Sequence, residues 1–558
     1  MRTLSFTSVL TNVVALGNIV TLANTVAVAA VLFSVAGCNP PPRPGLAEIS
    51  AASAPDDDGL ASGQNTSGEM GDGISISKLQ LPWESWHAYF VGGEKVGYIH
   101  VRSAVDEEGG VGNVQTTVTD HLTMRRGPST LRQMLIQSGI ETRDGGLVSF
   151  NADLRVGPAR TRFEGSVNAN TLSIDTIRGT TRQTEAFPWS PQYRGFAAIQ
   201  QTLLAKPIKI AEKRRVKMLM PMYYRLANIE MDCNHRASIS TLDGVSHDAL
   251  EVEIRMMIGI GNSIDSTVWV NDKGELLKSY TPAIDLTAIR SSESDALAAA
   301  SGPTVDLLSL TSLAVTGSLD KPGDAYKVGY VLRPRPIAGK EKLDLSIEPQ
   351  LGQWFRKLDD GTIQLLVSRD PSEPTREGFT GLNSTPDPKD SESGPIIDSA
   401  SGFVRKLAAV SNAANPRDLA IDLTHTVKQL ISPGDFTRGF ATASQTASDS
   451  VGDCTERAVL LAAMLRARDI PARVSAGLVY TGSKDKPVMA YHMWTLAWID
   501  NAWLALDPTS GGLAPADRIS FATSNLADGN EYSFVVPILS AIGQIEIQIT
   551  TAKYQSLK

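Results

Sequence analysis

The sequence predicts an α+β protein in which antiparallel β-rich regions precede a mixed helix and strand domain at the C-terminal end. Three observations carry this. Between residues 80 and 290 apolar side chains recur at every second position, as in Val114, Val118, Leu122 and Met124, and more regularly in Leu250, Val252, Ile254 and Met256. That period belongs to strands with one buried face. From about 396 the period changes to a helical one, in FVRKLAAVSNAA and PRDLAIDLTHTVKQLI, separated by Asn415-Pro416. Strand-forming runs then return around an Asp500-Asn501 turn and close the chain in EYSFVVPILSAIGQIEIQIT.

Taken in order, residues 1–37 form a leader. No charge follows Arg2 until Arg43, and the apolar VAVAAVLFSVAG runs directly into Cys38. Val35-Ala36-Gly37-Cys38 reads as a lipobox, in which Cys38 is acylated and becomes the mature N-terminus. Val at the first position and the length of the leader depart from the commonest form. The competing reading is an uncleaved membrane helix within Val13 to Gly37, which is long enough to span. Both place the chain at a membrane and outside the cytoplasm, and Asn39 after the Cys favours outer-membrane sorting. Residues 38–79 are rich in Pro, Gly, Ser, Ala and Asp, with almost no large apolar residue, and read as a disordered tether.

The first β-rich domain spans 80–290 and includes a hairpin, TVWVNDKGELLKSY, turning at Asn271 to Gly274. No catalytic constellation, metal set or phosphate loop stands out in it, and a curved antiparallel sheet is expected. A smaller β-rich domain is expected over 303–370, marked by AYKVGYVLRP and DGTIQLLVSRD, with a polar linker over 371–395. The catalytic-looking region follows at 396–515, and C-terminal strands at 516–558. The chain carries 52 Lys and Arg against 60 Asp and Glu, a net charge of −8, with no basic cluster interleaved with aromatics, so nucleic acid is not an expected partner. Cys38, Cys233 and Cys454 are too few and too scattered for a zinc set, and no metal or cofactor is expected. Cys233 and His235 in MDCNHR lack a second pair and read as residues of a half-buried strand.

The chemistry concentrates between Gly452 and Gly511. Asp453 and Glu456 just ahead of an apolar run form a capping-box pattern, so a helix is expected to begin near Cys454 and to be ended by Pro471. Its buried face is expected to include Ala458, Leu461, Ala462 and Leu465. A thiol at the first helical position sits beside unpaired backbone N–H groups that favour a thiolate and can hold an oxyanion. The Asp453 and Glu456 carboxylates oppose ionisation there, so a protonated His has to outweigh them. In HMWTLAWIDNAWLALDPT the Asp500-Asn501 pair suits a two-residue type I′ turn, which pairs Ile499 with Ala502 and makes opposed residue numbers sum to 1001. His492 and Asp507 then lie on one face as diagonal neighbours, roughly 7–8 Å apart at the backbone, a gap that an imidazole and a carboxylate bridge.

These residues resemble the transglutaminase-like superfamily, a branch of the papain-like fold. The resemblance runs from about Ile396 to Gly511. It is carried by the Gly-Asp-Cys-Thr-Glu helix start at 452–456, Ile-Pro-Ala-Arg at 470–473, His492 leading a tryptophan-rich strand with Trp494, and Asp-Pro-Thr at 507–509. It implies a papain-like fold with Cys454 as nucleophile, His492 as base and Asp507 as the group orienting that base, acting on peptide or carboxamide bonds through a thioester. Arg457 departs from the family, which usually has His there. The resemblance covers hydrolases and amine acyltransferases alike, with hydrolysis slightly favoured. Gln445 is a minor candidate for a second oxyanion donor. The expected partner is a protein or peptide substrate, met by a membrane-anchored envelope lipoprotein. The reading from another class is a non-catalytic binding lipoprotein that keeps the papain-like domain as a module.

Overall fold

The computed structural model describes residues 75–554, except 108–111, 127–128, 158, 179–180, 222–224, 258–262, 299–304, 306–311, 336–351, 371–376, 382–383, 434–440, 482, 528–537 and 539–544. The leader at 1–37, Cys38 and nearly all of the tether lie outside the described residues. Among those described, no helix is long and apolar enough to cross a membrane.

The alternating pattern between 80 and 290 forms one 14-stranded antiparallel sheet. It is built from two meanders, β1 (Trp83–Val91) to β8 (Thr181–Pro188) and β9 (Lys213–Met220) to β14 (Leu286–Ser291), joined where β1 pairs with β14. The apolar positions read from the sequence all face its interior: Val114, Val118, Leu122 and Met124, and likewise Leu250, Val252, Ile254 and Met256. Each such side chain stabilises the fold by roughly 1.5–3 kcal/mol on burial. A short helix, α1 (Ala198–Ala205), packs on this face. The Gln201 amide donates to the buried Glu141 carboxylate and to the Thr116 hydroxyl (3.0 Å), and the Gly195 N–H donates to Glu141 Oε1 (3.2 Å). At the β9 edge, Arg194 exchanges backbone bonds with Lys217 and Leu219, which covers that edge. Cys233 is fully buried in strand Arg225–Ser240, and His235 beside it pairs with Glu251 at 3.3 Å.

The second sheet has ten strands. Its N-terminal contributors are β15 (Leu313–Thr316), β16 (Ala325–Pro334), β17 (Gln353–Lys357) and β18 (Ile363–Ser368). The chain then forms α2 (Gly402–Ala408), α3 (Pro416–Leu430), the short strand β19 (Ser432–Pro433), α4 (Ala443–Asp449), β20 (Val451–Gly452) and α5 (Cys454–Arg466). It returns in β21 (Ala472–Tyr480), β22 (Val488–Ile499), β23 (Ala502–Asp507), β24 (Gly512–Leu513), β25 (Arg518–Ser524) and β26 (Ile545–Tyr554). The order is β17-β18-β16-β26-β15-β22-β21-β25, with β23 on β22 and β24 on β23. Residues 303–370 and the C-terminal strands, separate readings in the sequence, thus share one sheet with the strands that bear His492 and Asp507. Their partners are hundreds of residues apart, as in Leu332 opposite Ile547, which local periodicity does not encode.

The linker expected over 371–395 is packed where it is described. Asp387 and Asp390 form a capping box, Asp390 is fully buried against Arg473, and Ser384 accepts a hydrogen bond from Trp503 Nε1 at 2.8 Å. Helix α5 is buried all round, from Ala458 through Leu465, beyond the single face expected. An apolar helix of this kind belongs at the centre of a domain. It lies between β21–β22 and helices α2–α4, and the Thr495 hydroxyl donates to the Ala458 carbonyl at 2.9 Å to dock it on β22.

Candidate active site

Cys454 occupies the first position of α5, after Asp453 as N-cap. The capping box expected from sequence is present: Asp453 Oδ1 accepts from the Thr455 N–H (2.8 Å) and Glu456 Oε2 from the Asp453 N–H (2.9 Å). Burial and the neighbouring Asp453 push the Glu456 carboxyl well above the usual carboxylate range. A carboxyl that holds its proton adds no negative charge beside Cys454. Cys454 is half-buried, whereas Asp453, Thr455 and Glu456 around it are buried.

The hairpin that carries His492 and Asp507 has the register derived from its turn. Ile499 pairs with Ala502, Trp498 with Trp503 and Thr495 with Leu506. Both turn residues, Asp500 (φ 54°) and Asn501 (φ 59°), are left-handed, as a type I′ turn requires. His492 Nε2 lies 3.0 Å from Asp507 Oδ2. Cys454 is a second hydrogen-bond partner of His492. With Nε2 engaged by the carboxylate, Nδ1 is the ring nitrogen left to the thiol. The ring stacks on Trp494 at 6.3 Å and 23°.

The electrostatics of the group follow from burial set against charge. Burial, the largest single influence, disfavours the imidazolium, but the Asp507 charge, the hydrogen bonds to Asp507 and Cys454 and the Cys454 charge together outweigh it, so the His492 pKa is raised to about 10. Burial likewise opposes ionisation of Asp507. His492 and Arg518 together win, and hold its carboxyl well below the usual range. The backbone helps, because the N–H groups of Thr509 (2.8 Å) and Ser510 (3.4 Å) donate to Asp507 Oδ1.

Arg518 is the residue at this site that sequence reasoning missed. Its Nη1 lies 3.0 Å from Asp507 Oδ2, the oxygen that also meets His492, and its Nη2 lies 3.1 Å from Asp517 Oδ1. Nothing in the local pattern of APADRISFAT marks it. Its place depends on β25 pairing with β21, where Arg518 opposes Val479. Gln445 is not positioned as a second oxyanion donor: it is exposed, and its side-chain oxygen accepts from the Thr442 N–H (3.0 Å) as part of the α4 capping box. Arg457 is buried one turn beyond Cys454 and donates to the Ile431 carbonyl at 2.6 Å. His425 is exposed on α3. Among the described residues no group of three or more His, Cys, Asp and Glu stands together as metal ligands would.

The family model of the transglutaminase-like superfamily matches residues 406–508, a stretch that contains Cys454, His492 and Asp507. The chain carries a transglutaminase-like domain. The matched stretch opens in α2 and ends one residue after Asp507, so Arg518 and the flanking strands of the sheet lie outside it. Among curated proteins none matches the chain. Solved structures similar to it include a Cytophaga hutchinsonii protein provisionally named a cysteine protease, at 17% identity over 44% of this chain and 86% of that one, with a TM-score of 0.22. A β-barrel-like protein of unknown function from Brucella abortus matches at 8% identity over 38% of this chain and 96% of that one, with a TM-score of 0.28. A protein from Parabacteroides distasonis, provisionally named a protease, matches at 11% identity over 62% of this chain and 64% of that one, with a TM-score of 0.17.

Proposed function

We propose that the transglutaminase-like domain is a cysteine enzyme that cleaves peptide or carboxamide bonds through a thioester. The observation that carries this reading is the chain of contacts from the half-exposed Cys454 to the buried His492 and on to Asp507. In the reaction, the thiol proton passes to His492 and the sulfur attacks the carbonyl carbon. The resulting oxyanion is held by the backbone N–H of Cys454 at the start of α5. His492 then gives its proton to the departing nitrogen as the C–N bond breaks, leaving an acyl-Cys454. A water, deprotonated by His492, attacks the thioester, and the acid leaves with the thiolate restored. An amine in place of water gives acyl transfer by the same steps. Asp507 orients His492 and stabilises its cation.

The substrate proposed is a protein or peptide, with water as acceptor, met at the envelope by a chain anchored through acylated Cys38. Incubating the protein with casein, with and without a fluorescent primary amine, tests the chemistry. New amino termini that depend on Cys454 are the expected result. Label incorporated into casein in place of cleavage redirects the reading to amine transfer. Neither product, at a Cys454 that alkylates like a free thiol, overturns it in favour of a binding module.

A further inference from the structure

Asp507 stands between two cations. His492 Nε2 and Arg518 Nη1 both lie 3.0 Å from the same oxygen, Oδ2. Arg518 is held from its other side: Nη2 lies 3.1 Å from Asp517 Oδ1, and Nε donates to the Pro515 carbonyl (3.0 Å) and to Asp517 Oδ1 (3.2 Å). Its guanidinium lies over the Trp494 ring at 5.2 Å, and Trp494 stacks with His492. Only 5% of the Arg518 side chain is exposed. A guanidinium fixed on several sides in this way has essentially one geometry available, and it delivers that geometry to the carboxylate.

We propose that Arg518 is a positioning residue that locks the Asp507 carboxylate against His492 and, by drawing on the same oxygen, limits how tightly His492 holds its proton. This rests on the reading of Cys454, His492 and Asp507 as a catalytic group. A lone buried carboxylate bonded to the imidazole stabilises its cation without restraint, and a base that cannot release its proton fails to deliver it to the leaving nitrogen. A second cation on the shared oxygen offsets part of that attraction, and Asp517 in turn keeps Arg518 from being a buried charge with a single partner. The charged and titratable groups that meet His492 are Asp507 from β23 and Cys454 from α5. Arg518 of β25 and Asp517 just before it stand behind Asp507, and Asp453 and Glu456 flank Cys454.

The test is the titration midpoint of His492, followed by NMR on the full chain with labelled histidine and assigned by the signal lost in His492→Gln. Removing a unit charge at this separation moves a midpoint by about 1–2 pH units at an effective dielectric near 20. Arg518→Met therefore moves the His492 midpoint upward by that amount, and Arg518→Lys restores much of the original value. A midpoint that stays put or falls in Arg518→Met, or a Lys variant that behaves like Met, overturns the proposal, because a purely structural role loosens the site without this signed shift. Should Arg518→Met fail to fold, the double variant Arg518→Gln with Asp517→Asn leaves neither outer charge alone. It carries the same upward expectation in smaller degree, and no movement there overturns the proposal as well. Asp507→Asn separates the two readings. If it leaves the His492 midpoint unchanged, the catalytic group itself is misassigned. If it lowers the midpoint while Arg518→Met does nothing, only the role of Arg518 falls.

Discussion

Replacing Asp507 with Asn keeps the size of the side chain and removes one charge from the centre of the site. In the native protein His492 titrates at about 10 although burial pushes it down, because Asp507, by charge and hydrogen bond, and to a smaller degree Cys454 together outweigh burial. The interval from the ordinary 6.5 to about 10 corresponds to ~5 kcal/mol in favour of the imidazolium. Asn withdraws that attraction and leaves the burial penalty and the Arg518 charge in place, so the midpoint falls to 6.5 or lower. At pH 7.5 the imidazolium fraction then drops from nearly all to about a tenth or less. Asn also presents an N–H to Nε2, which places the ring proton on Nδ1, the wrong side for accepting the thiol proton. Peptide-resolved alkylation of Cys454 by iodoacetamide at pH 7.5 should slow by about tenfold or more, and turnover should fall by three to four orders of magnitude, with the imidazole in the wrong tautomer. Thermal unfolding should remain cooperative. An alkylation rate in Asp507→Asn equal to that of the native protein from pH 6 to 9 refutes the reasoning, since it means that the carboxylate does not govern the proton on His492.

Cys454→Ala should abolish turnover on casein while leaving the melting temperature within a few degrees, because the removed sulfur is only partly buried; residual cleavage above background moves the nucleophile elsewhere. His492 binds its proton more tightly folded (about 10) than unfolded (6.5), so its contribution to stability is complete below pH 6.5 and is lost as the pH rises through about 10. Melting curves from pH 6 to 10.5 should therefore fall more steeply for the native protein than for His492→Gln, and parallel curves sink this. Gly477→Ala should destabilise the domain by more than ~3 kcal/mol in denaturant titration, since a Cβ there would stand 1.8 Å from the Ile519 carbonyl oxygen, where β21 meets β25; a variant as stable as the native chain contradicts this packing. Metabolic labelling with a fatty-acid analogue in the native host should tag the protein through Cys38, and Cys38→Ser should lose the tag and block processing; an intact mass that retains Met1 and lacks an acyl chain replaces the lipid anchor with a transmembrane one.

The geometry of the site divides cleanly into what local sequence encodes and what it does not. Asp453 and Glu456 announce a helix start because a capping box is a contact across three residues, and Cys454 inherits its position from it. The distance between His492 and Asp507 was legible because a two-residue turn fixes the register of a hairpin, and Asp500 and Asn501 are suited to left-handed backbone. Both inferences need fewer than twenty residues of chain. Arg518 needs β25 to lie beside β21, a pairing fixed by packing of the whole sheet and by close approach at Gly477, so no pattern around Arg518 reports it. The same reason hid the union of β15, β16 and β26 with the strands of the site, and the docking of Ser384 on Trp503 and of Asp390 on Arg473. Alternation told that 303–370 is β-rich, but it carries no information about the partner of an edge.

Charge along the site alternates when Cys454 and His492 exist as thiolate and imidazolium: Cys454 negative, His492 positive, Asp507 negative, Arg518 positive, Asp517 negative. Each buried charge therefore has an opposite charge on either side except the last, and burial pushes that last one, Asp517, above the usual carboxylate range despite Arg518. The arrangement makes the proton on His492 a property of the whole series. Neutralising Asp507 withdraws stabilisation from both of its neighbours at once, whereas neutralising Arg518 releases Asp507 to act on His492 alone. The two substitutions, at neighbouring members of the series, should thus move the His492 midpoint in opposite directions. A single carboxylate orienting an imidazole, with Arg518 as mere packing, does not give that pair of signs.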